Sequence, residues 1–97
     1  MPIDGRTFEI TPRPASLGGG WKLILLEHGV EAGGGVFPLP QEAPQIGVDW
    51  WNALTEEQRA NWLMIAASAV PAAARHACLL VEAYDAAHDQ GQDWSCQ

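Results

Sequence analysis

The chain has 97 residues, which suffice for one hydrophobic core and predict a single domain over residues 1–97. It is 47% hydrophobic and 18% charged, a composition typical of folded rather than disordered proteins. Twelve acidic residues against five Lys and Arg leave a formal net charge of −7. This balance argues against direct binding of DNA, RNA or an anionic membrane through a basic face.

The sequence predicts a cytoplasmic protein. Asp4 and Arg6 interrupt the only place where the apolar region of a signal peptide could lie, and the longest strongly apolar run, residues 23–26, is too short for a membrane span. Two cysteines, Cys78 and Cys96, fit a reduced protein better than a disulfide scaffold.

Residues 7–37 carry strand signals and predict a β-meander. Three strands are expected, over residues 7–11, 21–27 and 30–37. Alternation in the first strand places Phe8 and Ile10 on one face. His28 and Gly29, between the second and third strands, are compatible with a two-residue hairpin turn.

Three consecutive glycines, residues 33–35, complicate the register of this hairpin. We expect Glu27 to face Val30 across the turn. Trp21 then lies opposite Val36, and large residues of one strand cover the glycines of the other. The glycines are also compatible with a β-bulge or with the close approach of a helix. We favour the packing interpretation.

The rest of the chain is predicted as a linker, a helical part and a tail, over residues 38–47, 48–91 and 92–97. Prolines at positions 38, 40 and 44 hold the linker extended. A helix starts with a capping box formed by Thr55 and Gln58. Pro71 either starts a second helix or kinks one long helix, and Gly91 is the expected C-cap.

Segregated strands and helices predict an α+β fold, in which a three-stranded antiparallel β-meander is followed by two α-helices packed on one sheet face. The expected core residues are Phe8, Ile10, Trp21, Leu23, Leu25, Val36, Trp62, Leu63, Ala66, Leu80 and Tyr84.

The last predicted helix carries an acidic stripe. Its members are Glu82, Asp85, Asp89 and Asp93, at spacings of three, four and four residues. Such spacing puts all four on one narrow face of a helix. The stripe is compatible with an ordinary solvated helix face, or with a negative ridge that docks on a basic surface of a partner protein.

Five tryptophans in one small domain are more than its core requires. Trp50 and Trp51 are adjacent, and both cannot easily point inward. Core packing explains the tryptophans, but an exposed member of this pair is also a candidate interface anchor, since Trp is enriched at binding hot spots.

Catalytic and metal-binding patterns are weak, so we predict no enzyme, no metal site and no cofactor. His76 and Cys78 are two residues apart and would point to different faces of a helix. The sequence contains no CxxC, HExxH or P-loop pattern. A helix-turn-helix DNA-binding protein is disfavoured, because Arg59 and Arg75 are too few cations for phosphate contacts.

Two segments resemble proteins of known groups. TFEITPRPASLGGGWKLILLEHGVEAGGGVFP, residues 7–38, resembles small uncharacterised proteobacterial proteins that share an ITPRP…LGGGW…GGGVFP pattern. WWNALTEEQRANWL, residues 50–63, resembles a helical motif in short proteins of phages and integrative elements. The resemblance implies a mobile-element setting and no particular activity. Small acidic proteins of such elements often inhibit host defence, as anti-CRISPR and anti-restriction proteins do.

The leading hypothesis is therefore a non-catalytic protein-binding protein, an inhibitor or adaptor of a mobile element that acts through the acidic stripe and the Trp50–Trp51 pair. The alternative is a structural subunit that forms a homodimer through the tryptophans and the alanine-rich helix. A small enzyme that uses Cys78 and His76 is a third hypothesis.

Overall fold

The computed structural model describes residues 4–96, and its fold is α+β, as the sequence predicts. The elements in chain order are β1 (Arg6–Pro12), a 3-10 turn (Ala15–Leu17), β2 (Trp21–Glu27), β3 (Val30–Phe37), α1 (Pro44–Ala53), α2 (Glu56–Ala66) and α3 (Pro71–Ser95). The chain divides into two compact units. The sheet unit comprises the residues up to Leu39 together with those from Glu82 onward, and the helix unit comprises Pro40–Val81. The single domain predicted from the length stays a prediction.

The sheet is the predicted antiparallel meander, with strand order β1-β2-β3. Glu27 pairs with Val30 next to the turn between β2 and β3, as expected. His28 has a φ of 52° and Gly29 a φ of 80°. Positive φ at both central residues is the conformation of a type I′ turn, whose twist matches that of the flanking strands.

A register shift separates the observed hairpin from the predicted one. The shift lies between Leu25 and Leu26 of β2, and beyond it Trp21 pairs with Phe37 rather than with Val36. Because neighbouring side chains of a strand point to opposite faces, one additional residue in β3 moves Val36 away from the face of Trp21. Val36 is 52% exposed, so its predicted place in the core was wrong. The bulge lies at Ala32, which the register between β2 and β3 skips. Beyond it Leu23, Ile24 and Leu25 pair with Gly35, Gly34 and Gly33, so the expectation that large residues of β2 cover the glycines is confirmed.

The second half of α3 covers one face of the sheet. His88 packs edge-on against Phe8 with ring centroids 5.6 Å apart, and Tyr84 packs edge-on against Trp21 at 5.1 Å. Ala87, on the same stretch of helix, is fully buried. Edge-to-face geometry is favourable for aromatic pairs, so these contacts add to the apolar area that the helix covers.

Two glycines are required by close packing in the sheet unit. A Cβ atom on Gly34 would collide with the carbonyl oxygen of Leu23. A Cβ atom on Gly91 would collide with the ring of Phe8, and Gly91 is buried. Gly91 is therefore an interior residue of α3 that lets the helix approach the sheet, and not the predicted C-cap.

The last turn of α3 replaces most of the predicted tail over residues 92–97. The helix continues to Ser95. The indole Nε1 of Trp94 donates a hydrogen bond to the carbonyl oxygen of Leu26 at 3.1 Å, and the guanidinium of Arg6 lies 4.2 Å from the centroid of the Trp94 ring. These contacts hold the end of the helix on the sheet.

The helix unit begins its helices earlier than expected. α1 starts at Pro44, inside the segment 38–47 predicted as a linker. Proline suits the first helical position, because its φ is preset and the N–H that it lacks would have no partner within the helix. Residues 4–96 therefore contain three α-helices, where the sequence predicted two.

A sharp break separates α2 from α3. The predicted capping box is confirmed at the start of α2, with reciprocal hydrogen bonds between Thr55 and Gln58. Ala67 ends the helix in the left-handed conformation with a φ of 51°, and α3 starts at Pro71. The axes of α2 and α3 differ by 78°. Pro71 therefore starts a separate helix and does not kink one long helix.

Burial is uneven among the predicted core residues. Leu23 is 1% exposed and Tyr84 is 38% exposed. Intermediate burial is found for Phe8, Ile10, Trp21, Leu25, Trp62, Leu63, Ala66 and Leu80. Among the residues that the structure describes, the other buried apolar side chains are those of Ala74, Ala77, Cys78, Leu79 and Ala87.

Candidate binding surfaces

The four predicted acidic residues form one exposed ridge in the sheet unit, the acidic ridge of Glu82, Asp85, Asp89 and Asp93. All four are exposed and lie within the uninterrupted helix α3. At a rise of about 1.5 Å per residue, the ridge is a line of negative charge roughly 16 Å long. The opposite side of the same stretch carries the buried Ala87 and Gly91, so the helix is amphipathic.

The arginines contact backbone carbonyl oxygens and aromatic rings of the same chain. Arg13 donates to the carbonyl oxygens of Gly19 at 2.9 Å and of Leu17 at 2.7 Å, and so clamps the 3-10 turn. Arg59 donates to the carbonyl oxygen of Trp51 at 3.1 Å. With Arg6 on Trp94, these contacts hold three of the chain's five Lys and Arg side chains in local structure, and the formal net charge of the protein is −7.

Neither member of the predicted Trp50–Trp51 anchor pair is fully exposed. Both are half-buried. Trp50 packs against Trp62 with ring centroids 6.1 Å apart, and the guanidinium of Arg75 lies 5.2 Å from the centroid of the Trp50 ring. Trp50 is therefore a packing residue of the helix unit, whereas Trp51 lines a groove.

A bidentate ion pair stands beside the tryptophans. Nε of Arg75 donates to Oε1 of Glu42 at 2.7 Å, and its second nitrogen donates to Oε2 at 2.8 Å. Each side chain is only 18% exposed. The hydrogen bonds from Arg75 hold the pKa of the Glu42 carboxyl below its ordinary value, because they favour the ionised form. Paired in this way, the two charges neutralise each other.

The groove lies in the helix unit, between α1 and the first turns of α3, and has a volume of about 500 Å³. Its lining includes the apolar residues Pro44, Val48, Trp51, Pro71 and Ala72, with the Arg75–Glu42 pair as its charged members. The sequence did not predict this site, since four of its nine lining residues come from the segment predicted as a linker. A proline followed by an apolar helical pattern was the signal that could have revealed α1.

The residues considered for catalysis are not brought together. Cys78 is buried and His76 is exposed, on the same helix. Cys96 is exposed, and neither cysteine forms a disulfide. Within residues 4–96, no group of three or more His, Cys, Asp or Glu side chains is arranged to hold a metal ion.

Comparison with protein-family models, with curated proteins and with solved structures found no match for this chain. In the described part of the chain, no single helix is both long and apolar enough to cross a membrane. α2 and α3 meet that test only when they are taken together, across their 78° bend.

Proposed function

We propose that this chain is a small non-catalytic protein-binding protein that docks its acidic ridge onto a basic surface of a partner protein. The observation that carries the proposal is the alignment of four exposed carboxylates along one face of α3. Opposite charges across an interface steer the encounter of two proteins and fix their relative orientation.

The kind of partner follows from the sign of the charge. Proteins that handle nucleic acids present basic surfaces to phosphates, and a line of carboxylates complements such a surface. The resemblance of residues 7–38 and 50–63 to proteins of mobile elements adds a setting in which a small acidic protein inhibits a host complex. We therefore propose an inhibitor of a nucleic-acid-handling or defence complex, acting in the cytoplasm.

The test compares three tagged proteins in pull-downs from a proteobacterial lysate, at low and at high salt. The ridge variant changes Glu82, Asp85, Asp89 and Asp93 to Lys. The control variant makes the same change of net charge on exposed acidic residues of the β-meander region, Asp4, Glu9, Glu27 and Glu31.

We expect the wild type and the control variant to retain the same basic-surfaced protein, and the ridge variant to lose it. Retention should weaken at high salt, because salt screens exposed charges. The captured protein is then purified and titrated directly. An unchanged affinity for the ridge variant would overturn the proposal.

A homodimer is the second candidate, and the exposed apolar residues of the helix unit favour it. Met64 is 73% exposed, Val70 is 55% exposed and Ile46 is 49% exposed. Light scattering over a range of concentrations should then show the mass rise from one chain to two. Met64→Glu should keep the protein monomeric, whereas a constant mass in the wild type would exclude self-association in that range.

A further inference from the structure

We infer that the groove of the helix unit binds a small, uncharged, largely apolar molecule that carries a planar ring. Its volume of about 500 Å³ lies within the range of roughly 300–1,000 Å³ typical of ligand pockets. Such pockets combine an apolar lining with a few polar groups, as this one does. The inference is independent of the proposed function, because the groove belongs to the helix unit and the acidic ridge to the sheet unit.

The walls favour a planar ring. Trp51 contributes an indole, and Pro44 and Pro71 contribute the rigid rings that begin α1 and α3. Flat apolar surfaces of this kind complement the faces of an aromatic ring, which also gains from offset or edge-on contact with an indole.

The charged residues favour a neutral ligand. Arg75 and Glu42 are joined by two short hydrogen bonds, and each is largely buried. An anion would have to compete with Glu42 for the guanidinium, and a cation would have to compete with Arg75 for the carboxylate. A neutral ligand leaves the pair intact and buries no charge of its own.

Gly47 keeps part of the groove open. It lies within α1, where glycine is a poor helix former. Packing does not require it, because a Cβ atom there would lie 3.6 Å from Cγ of Arg75, an ordinary van der Waals contact. The absent side chain leaves room beside the stem of Arg75 for a ligand.

The experiment titrates the ¹⁵N-labelled protein with benzyl alcohol, and follows the indole Nε1–H of Trp51 and the backbone amides of α1 and early α3. We expect saturable shifts confined to these groups. Benzoate and benzylammonium carry the same ring with a charge, and should bind about tenfold more weakly or not at all, because burying an unpaired charge is unfavourable.

Gly47→Leu fills the groove and should abolish the shifts, whereas Asn52→Leu places the same side chain at an exposed position of α1 outside the lining and should preserve them. Gly47→Ala adds a single carbon atom that fits beside Arg75, and it should weaken binding severalfold. This variant still tests the inference if Gly47→Leu fails to fold. Shifts that do not saturate would overturn the inference, as would equal affinity of the wild type for the three ring compounds. The same holds if both Gly47 variants bind benzyl alcohol as tightly as the wild type does.

Discussion

In the sheet unit large apolar side chains fill the centre of one sheet face: Leu23 is 1% exposed, and Phe8 and Trp21 receive edge-on rings from α3, while Val30 and Val36 of β3 are exposed. In the helix unit buried positions include small residues such as Ala74, while Met64 is 73% exposed. The hydrophobic effect stabilises a fold only through the apolar area that is removed from water. The comparison teaches that the centre of the sheet unit is closed by large side chains, whereas most buried apolar positions of the helix unit are small, with Leu79 as the large one.

Two helical glycines, one in each unit, also differ in how closely their surroundings are packed. Gly91 lies in the sheet-unit part of α3, and an added Cβ would collide with Phe8. Gly47 lies in α1, and an added Cβ would make an ordinary contact with Arg75. The same residue type is thus required by packing in one helix and unfavourable for stability in the other.

The largest effect is expected from truncating the sheet core. Leu23→Ala should lower the free energy of unfolding by about 2–5 kcal/mol, because it removes buried apolar atoms and leaves a cavity. Met64→Ala, in the helix unit, should change it by less than about 0.5 kcal/mol, since the side chain is mostly in water. Urea unfolding followed by circular dichroism measures both. Similar losses for the two variants would break the comparison.

Gly91→Ala comes next. We expect a loss of about 1–3 kcal/mol, despite the better helix propensity of alanine, because the new methyl group overpacks the contact with Phe8. In a chain that already carries Phe8→Leu, Gly91→Ala should cost less stability than it does in the wild type. Thermal unfolding of the wild type, the two single variants and the double variant gives this coupling energy. Strictly additive effects would show that Phe8 is not the group that the methyl meets.

Gly47→Ala should act in the opposite direction. It should raise the free energy of unfolding by about 0.5–1 kcal/mol, because alanine is the better helix former and its Cβ fits beside Arg75. The same denaturant titration measures it, with Gly91→Ala as the matched substitution. If Gly47→Ala destabilised the protein as Gly91→Ala does, the groove would have less room beside Arg75 than its geometry shows.

The smallest effect is a pH dependence in the helix unit. The pKa of Glu42 is lowered by the hydrogen bonds from Arg75, so its contribution to stability is present above the ordinary pKa of 4.5 and is lost as the pH falls through the lowered value. Glu42→Gln should therefore be less stable than the wild type at pH 7, with the difference shrinking in acid. A difference that stays constant down to acidic pH would contradict this assignment.

Local patterns predicted much of the fold. The tight turn at His28 and Gly29, the capping box at Thr55 and the acidic face of α3 each depend on residues close in the sequence. The register beyond the bulge was wrong, because a local pattern does not show where β3 gains its additional residue. Sequence alone does not distinguish a glycine that ends a helix from one that admits a neighbouring ring, and Gly91 is of the second kind.

The binding surfaces divide in the same way. The alignment of the acidic ridge follows from helical spacing alone, so its four members could be foreseen, whereas their exposure depends on which face of α3 packs on the sheet. The groove requires α1 and α3 to lie side by side, and the ion pair that joins Glu42 to Arg75 links residues 33 positions apart. Pro44 also has two plausible roles, in an extended linker and at the first position of a helix, and only the tertiary context decides between them.

The contacts of α3 with the sheet have a consequence for the order of synthesis. Residues of β1 and β2 leave the ribosome early, but Tyr84, His88 and Trp94, which pack on or bond to them, are made much later. Until then the apolar face of a nascent three-stranded meander lacks its cover, a state in which exposed strands aggregate readily. Emergence of the second half of α3 from the ribosome, rather than completion of the strands, is therefore the step that covers the nascent sheet.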